Sequence, residues 1–154
     1  MSPKLSIYMA HPITGLQGKE VINYYSETKD FLSDIGYEVY CPMIAKGYMI
    51  SEKEFKSHGY DGNPIALNHA IKERDKWMVK SSKVLLLDLS GSKNVSIGCV
   101  MELAWAEEFG NHTIVVMEKD NIHNHAFVLE SADIVFDNID DARVYLGKLI
   151  KGEM

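Results

Sequence analysis

The chain has 154 residues and a formal net charge of −6 at pH 7. This length predicts one domain over residues 1–154 that buries roughly two-thirds of the surface of its unfolded chain. Because the net charge is negative and no run of Lys or Arg occurs, the sequence argues against a nucleic-acid polymer or an anionic membrane as a partner. The length and charge are compatible with a small-molecule ligand.

Targeting and metal-binding patterns are missing from the sequence. The longest apolar segments are far shorter than the ~20 residues that span a bilayer, and the first residues lack the pattern of a signal peptide, so we expect a cytoplasmic protein. Cys41 and Cys99 are not at CxxC spacing, which favours buried free thiols. His112, His123 and His125 cluster without an acid or Cys at a familiar zinc spacing, so no metal site is predicted.

The first part of the chain has the pattern strand, helix, strand. Residues 5–10 are a short apolar run of the kind that forms an interior parallel strand. Residues 19–35 carry apolar side chains at helical spacing, and Gly36 follows where such a helix would end. Residues 37–41 alternate and are rich in β-forming types, and Pro42 closes this second strand.

A long irregular excursion comes next. Residues 43–62 contain three glycines and a candidate short helix at 51–56, and an excursion of this length is usually a functional loop or a lid. Asn63 and Pro64 then form a good helix start, with Asn as the cap and Pro at the first helical position. We expect this helix to reach about Lys80, with Asp75 inside its apolar stripe.

The segment 83–110 combines a buried strand at 84–89, a loop rich in Gly and Ser, and a helix from near Ser96 to Gly110. Glu102 lies early in this helix, and the residues three and four positions away are not basic. A lone acid on an apolar face after such a loop is a candidate catalytic residue, because desolvation shifts the pKa of a carboxyl group. The alternative is an acid favoured there only by the helix dipole.

The rest of the chain completes an alternating pattern. Residues 113–117 predict a buried strand, 118–127 a polar loop, 133–137 a fifth short strand and 140–151 a closing helix. The alternation predicts an α/β fold with a five-stranded parallel sheet covered by helices on both faces, of the flavodoxin-like or Rossmann-like type. Ligands of such sheets bind beyond the carboxyl ends of the strands, where residues 11–15 and 90–98 would meet.

Two common phosphate-binding devices are absent. No GxGxxG follows the first strand and no GxxxxGK[ST] occurs in the chain, which excludes the usual dinucleotide and P-loop motifs. The GxSxG nucleophile elbow is absent as well.

Two other segments do form a pattern. Residues 7–15 read IYMAHPITG, and residues 75–102 contain an Asp, a buried strand and then S-x-G-x-x-x-E. The first segment resembles the IYLAGP opening of the nucleoside 2-deoxyribosyltransferase family, and the second resembles that family's S/D-x-G-x-x-x-E-x-x-x-A signature. The resemblance extends over nearly the full chain and includes the related nucleoside 5′-monophosphate N-glycosidases. It implies an enzyme that cleaves an N-glycosidic bond without a cofactor.

The resemblance implies a role for each matching residue. Glu102 matches the nucleophile that attacks C1′ of the sugar and forms a covalent glycosyl-enzyme, and Asp75 matches the acid that helps to protonate the leaving base. Tyr8 matches an aromatic residue of the sugar and base pocket, and Ser96 matches the residue that holds the 5′ end of the sugar. The other candidate substrate-binding residues of this chain are His11, Pro12, Ile13 and Gly98.

The same resemblance implies a homo-oligomer with shared active sites. In the relatives, an Asn from the loop before the last strand completes the pocket of a neighbouring subunit. Asn124 or His125 is the nearest match in this chain.

Two positions depart from the family pattern. His11 stands where the family usually has Gly, which allows close approach of the backbone to the sugar. Ser96 is typical of the relatives that hydrolyse 5′-monophosphates, since an Asp at this position would repel a phosphate and a Ser can donate to it. Those hydrolases carry an Arg after the first strand, and residues 11–18 contain none. The 5′ group, hydroxyl or phosphate, therefore stays open.

Simpler interpretations exist for the same residues. Asp75 would be an exposed helix acid paired with Lys72 or Lys76, Ser96 a helix cap that need not touch a ligand, and Tyr8 plain core. The corresponding alternatives for function are an N-glycosidase that transfers the sugar to water, and a non-catalytic nucleotide-binding module.

Overall fold

The computed structural model describes residues 4–44 and 63–154, so the candidate helix at 51–56 lies outside the described residues. In the described ranges five parallel strands form one sheet in the order β2-β1-β3-β4-β5. The strands are β1 (Ser6–Ala10), β2 (Glu38–Tyr40), β3 (Val84–Asp88), β4 (His112–Val116) and β5 (Ile134–Phe136). The helices are α1 (Gly18–Ile35), α2 (Asn68–Ser81), α3 (Ile97–Glu108), α4 (Ala126–Ser131) and α5 (Ile139–Lys151).

This strand order is the flavodoxin-like one, which confirms the predicted fold class. The chain runs outward from β1 to β2, returns to β3 on the other side of β1, and continues outward through β4 to β5. The switch point therefore lies between β1 and β3, which pair in register from Ile7 opposite Val84 to Ala10 opposite Leu87. The loops after these two strands open at the same edge of the sheet, as the sequence predicts.

Side-chain alternation on β1 divides the core into two layers. Ile7 and Met9 pack with residues of α1 and α5 on one face, whereas Tyr8 and Ala10 pack with residues of α2 and α3 on the other. The residues Ser6–Ala10 are all buried, as expected for an interior parallel strand. This alternation directs Tyr8 toward α3, the helix that carries Glu102.

The predicted helix from Pro64 to Lys80 is interrupted, which corrects the sequence-based assignment. Pro64–Ala66 forms a single 3-10 turn, and Asn63 Oδ1 accepts a hydrogen bond from Ile65 N at 3.2 Å. Leu67 then takes extended backbone (φ −65°, ψ 141°), and α2 begins at Asn68. Asn63 and Pro64 therefore begin this turn, which buries Ala66, and not the long helix. The long helix starts five positions after the predicted cap.

The short helix α4 was not predicted from the sequence. It begins within the predicted polar loop 118–127 and extends into residues to which no element was assigned. His125 is its N-cap, with Nδ1 accepting from Phe127 N at 3.1 Å. A helix of 6 residues is too short to show apolar periodicity. Val128 packs it into the core layer that contains α3, so tertiary contact stabilises it.

The described helices also bear on membrane insertion. None of them is both long enough and apolar enough to cross a bilayer.

Candidate active site

A buried tyrosine of β1 and a buried glutamate of α3 meet on the face of the sheet that α2 and α3 cover. Tyr8 of β1 is fully buried, and its hydroxyl donates a hydrogen bond to Oε2 of Glu102, 94 positions later in the chain. Glu102 lies in the second turn of α3 and is 7% exposed. Burial raises the pKa of Tyr8 well above its usual value, and the neighbouring carboxyl groups of Glu102 and Asp75 raise it further, since each is negatively charged when ionised. The phenol therefore stays protonated and remains a donor to the carboxylate.

Asp75 faces the same space as Glu102. The two carboxylates and Gly98 line a cleft of about 190 Å³ together with Lys72, Met101 and Trp105; we call it the carboxylate cleft. Its walls come from α2 and α3, which pack against each other. The fold thus brings together two acids that are 27 positions apart, as the resemblance implies.

The environment of Asp75 differs from the simpler interpretation of an exposed acid paired with lysine. Its side chain is only 14% exposed, and Oδ1 lies 3.2 Å from Nη2 of Arg74. The same Arg74 nitrogen donates to the carbonyl of Pro42 at 3.2 Å, which ties α2 to the end of β2. Lys72 instead pairs with Glu73 at 2.7 Å on the exposed side of the helix.

The loop after β1 is fixed by its histidine. His11 Nδ1 lies 2.8 Å from the carbonyl oxygen of Asp88, so this nitrogen carries the proton. The ring stacks on Tyr24 with centroids 4.1 Å apart. His11 N donates to the hydroxyl of Tyr25 at 2.8 Å, and that hydroxyl donates to His11 O at 3.0 Å. His11 thus joins the ends of β1 and β3 to α1.

A second cleft of about 390 Å³ lies between the loops after β1 and β3, and we call it the loop cleft. His11 and Pro12 form one wall, and residues 90–94 form the other. Ile13, also predicted to bind substrate, packs against the core layer that contains α1 and α5. The loop cleft is the more polar of the two clefts, since Ser90, Ser92, Lys93 and Asn94 contribute to it.

Ser96 and Gly98 begin the helix that carries Glu102. Ser96 is the N-cap of α3, and its Oγ accepts from Cys99 N at 3.3 Å. A Cβ built at Gly98 meets no other atom within 4 Å, so the described protein atoms do not require glycine there. A ligand contact by Ser96 stays a prediction.

Asn124 and His125 do not line the carboxylate cleft of their own chain. Asn124 is exposed, and its side-chain amide donates to Lys119 O at 2.8 Å. His125 lines an apolar cleft of about 540 Å³ between α3 and α4, which we call the apolar cleft. That Asn124 or His125 completes the pocket of a neighbouring subunit stays a prediction.

Sequence reasoning missed Asp88 at the end of β3. This carboxylate is 3% exposed and accepts from the Tyr24 hydroxyl at 2.7 Å and from Ser90 N and Oγ at 3.0 and 2.5 Å. Burial and the charge of Asp88 raise the pKa of Tyr24, so that phenol also stays a donor. The available signal was an acid within the apolar run of β3. Within the described ranges, no group of three His, Cys, Asp or Glu residues is arranged to hold a metal ion.

Replacing Tyr8 with Phe is expected to lower kcat/KM by roughly 10-fold to 100-fold, because a hydrogen bond to a charged group contributes about 1.5–3 kcal/mol. The variant keeps the ring in the core and removes only the donor to Glu102. Steady-state kinetics with the best substrate measures the effect. Tyr40→Phe is the matched control, since Tyr40 donates to Glu38 at 2.8 Å in an exposed pair. Equal activity of both variants would contradict a role for the Tyr8 hydroxyl.

Comparison with known proteins gives a likeness of fold. No protein-family model matches the chain, and no curated protein matches it. Among solved structures, a 2-deoxyribosyltransferase from Bacillus psychrosaccharolyticus superposes with a TM-score of 0.65 at 16% identity, over 92% of this chain and 95% of that one. A CMP N-glycosidase from Clostridium botulinum superposes with a TM-score of 0.52 at 17% identity, over 94% of this chain and 96% of that one. The similarity covers nearly the full length of all three chains.

Proposed function

We propose that the protein is an enzyme that cleaves the N-glycosidic bond of a 2′-deoxynucleoside or its 5′-monophosphate, and that it passes the deoxyribosyl group from Glu102 to an acceptor base. The observation that carries this proposal is the buried Glu102, hydrogen-bonded by Tyr8 and sharing a cleft with Asp75. The fold likeness to a 2-deoxyribosyltransferase and a CMP N-glycosidase supports the reaction class.

The first half of the reaction is a displacement at C1′. As the bond from C1′ to the base nitrogen breaks, positive charge develops on the sugar, and a carboxylate close to C1′ stabilises it. An oxygen of Glu102 then bonds to C1′, while the electron pair of the broken bond leaves with the base. Asp75 delivers a proton to the departing base nitrogen, so that a neutral base is released.

The second half reverses these steps with a new nucleophile. A nitrogen of the acceptor base attacks C1′, the ester bond to Glu102 breaks, and the carboxylate is restored. Asp75, now ionised, takes the proton of the attacking nitrogen. Two inversions at C1′ retain its configuration. Tyr8 supports both halves, because its hydrogen bond to Oε2 limits the orientation of the Glu102 carboxylate.

The alternative is an N-glycosidase that transfers the sugar of a 5′-monophosphate to water. Ser96 supports it, because a half-buried hydroxyl at the start of α3 can donate to a phosphate oxygen where an Asp would repel it. Lys93 and Asn94 of the loop cleft can also donate hydrogen bonds to an anion, and Glu20 is the carboxylate that lines the same cleft. Both alternatives use Glu102 and Asp75 in the same roles.

A substrate panel tests the proposal. The protein is incubated with deoxynucleosides, ribonucleosides and their 5′-monophosphates, with and without an acceptor base, and base release or exchange is followed by chromatography. Exchange that requires an acceptor supports the transferase, and release without one supports the N-glycosidase. Binding without turnover of any substrate would leave the non-catalytic nucleotide-binding module as the better description.

We also propose a homo-oligomer with shared active sites. Phe127 of α4 is 79% exposed and lines the apolar cleft. Ile97 of α3 is 73% exposed and directly precedes Gly98, which lines the carboxylate cleft. Helix α3 also packs Leu103 and Ala106 into the core, so apolar residues occur on most sides of it. A helix of this kind is typically covered on both sides, here by a second copy of the chain.

Replacing Phe127 with Glu is expected to weaken this assembly, because a charge placed in an apolar interface is costly to desolvate. Light scattering at the assay concentration measures the mass. The matched control is Val144→Glu, since Val144 is 60% exposed on α5 and should tolerate the charge without loss of mass. A monomeric mass for the unmodified protein would contradict the proposed oligomer.

A further inference from the structure

The loop between β4 and α4 holds both ends of the loop between β3 and α3. At the first end, the side-chain amide of Asn121 donates to Leu89 O at 2.7 Å. At the second end, His123 Nε2 accepts from Ser96 N at 2.8 Å. Asn121 Oδ1 joins the two, since it lies 3.0 Å from His123 Nδ1 and accepts from His123 N at 2.9 Å. We call this chain of hydrogen bonds the Asn121–His123 clamp.

The partners of the clamp define the protonation state of His123. A backbone N–H can only donate, so Nε2 is the unprotonated acceptor for Ser96. The amide of Asn121 donates to Leu89 O and to Glu118 Oε1, at 2.7 Å in each case, which leaves its Oδ1 to face the histidine. Nδ1 of His123 therefore carries the proton. His123 is 2% exposed and Asn121 is 6% exposed.

From this geometry we infer that His123 is a positioning residue of the active site, which in its neutral form holds Ser96 and thereby the start of the helix that carries Glu102. The inference rests on the proposed function for its kinetic consequences. It gives the loop between β4 and α4 a role within its own chain, separate from any contact of Asn124 or His125 with a neighbouring subunit.

The position of the clamp explains why its loss should affect the chemistry. Ser96 caps α3 one turn and a half before Glu102, and residues 90–94 form a wall of the loop cleft. Glu118 adds a hydrogen bond to the same wall, because its carboxylate accepts from Gly91 N at 3.1 Å. A displacement of about 1 Å at reacting groups costs on the order of 10²-fold in rate, so a loosened loop and helix start would be measurable.

Acid should open the clamp. A protonated His123 would present an N–H at Nε2 to the N–H of Ser96, and two donors cannot bond. Burial lowers the pKa of His123, which keeps the ring neutral near pH 7. The other titratable groups around it are Glu118, reached through Asn121, and Glu107 and His125, which line the apolar cleft with it. The clamp should therefore be intact above this lowered pKa, and activity should fall as the pH decreases through it.

Two substitutions at His123 separate positioning from mere packing. His123→Leu fills space without an acceptor, and we expect kcat/KM to fall about 10²-fold. His123→Gln offers an amide oxygen near the location of Nε2 and has no proton to gain, so activity near pH 7 should be largely retained and the acid limb of the kcat/KM profile should move to lower pH. Equal loss in both variants, with an unchanged acid limb, would overturn the inference.

His112→Gln is the matched control. Like His123, His112 has both ring nitrogens in hydrogen bonds, to Asp133 at 3.1 Å and to the Tyr145 hydroxyl at 2.6 Å. It is only partly buried, and it lies at the amino end of β4. Its substitution is expected to lower stability and to leave the pH profile unchanged. The same shift of the acid limb in this variant would count against His123.

Nitrogen NMR and hydrogen exchange test the clamp without reference to turnover. We expect the ring of His123 to be protonated at Nδ1 alone at neutral pH, and exchange of the Ser96 amide to accelerate in His123→Leu but not in His112→Gln. A proton on Nε2 at neutral pH, or unchanged Ser96 exchange in His123→Leu, would overturn the inference. If the unmodified protein shows these NMR signatures but turns over no nucleoside or nucleotide, the proposed function fails and the clamp stands.

Discussion

Replacing Glu102 with Ala is expected to lower kcat/KM by a factor on the order of 10⁴, the largest effect of any single substitution in this chain. The variant loses the group that bonds to C1′ in the proposed mechanism, so the proposed two-step route through a glycosyl-enzyme would be closed. It also loses the negative charge that stabilises the cationic sugar in the transition state.

Glu102→Gln separates these two contributions. The amide keeps the volume and an oxygen that can accept from the Tyr8 hydroxyl, but it is uncharged and a poor nucleophile. Activity as low as that of Glu102→Ala would show that the charge and nucleophilicity carry the effect, and not the shape. Glu108→Ala is the matched control, because Glu108 is an exposed carboxylate at the end of the same helix.

Mass spectrometry adds a direct test of the covalent step. The protein quenched during turnover should gain the mass of the sugar on the peptide that contains Glu102, and this adduct should be absent from both Glu102 variants. Undiminished turnover in Glu102→Ala would contradict the mechanism outright. An adduct on another residue would transfer the role of nucleophile to that residue.

The alternation of strands and helices was sufficient to predict the sheet. The buried runs of β1 and β3 contain no charged residue before Asp88, and this apolar character is typical of interior parallel strands. The helix starts were harder, because local cap chemistry and tertiary packing compete. At Asn63 and Pro64 the cap signal was real, but it served a single 3-10 turn and not α2.

The contacts of the site were predictable only in part. The resemblance to the family predicted that Asp75 and Glu102 share one site. The hydrogen bond from Tyr8 to Glu102 joins residues 94 positions apart, and it depends on which face of β1 meets α3. Asp75 pairs with Arg74, a sequence neighbour that helical geometry alone does not select. The hydrogen bond from Ser96 N to His123 has no sequence signal, because every residue except proline carries a backbone N–H.

Replacing Asp75 with Asn is expected to lower kcat/KM by about 10²-fold to 10³-fold for nucleosides whose base must be protonated as it leaves. Asn cannot supply that proton. It does retain an oxygen that can accept from Arg74 Nη2, which in the unmodified protein lies 3.2 Å from Asp75 Oδ1, so the link from α2 to Pro42 should persist. Thermal unfolding of the variant should therefore stay close to that of the unmodified protein.

The identity of the leaving base distinguishes acid catalysis by Asp75 from a purely structural role. An N7-methylated purine nucleoside already carries positive charge on its base and releases that base without protonation, so Asp75→Asn should cleave it almost as fast as the unmodified protein does. Glu73→Gln serves as the control, since Glu73 lies beside Asp75 on α2 but pairs with Lys72 on the exposed side. A loss of the same size for methylated and unmethylated substrates would exclude proton delivery and leave Asp75 as a residue that only orients the base. A loss confined to the unmethylated substrate would assign the proton to Asp75, because charge on the base is the variable that separates the two substrates at the reacting bond.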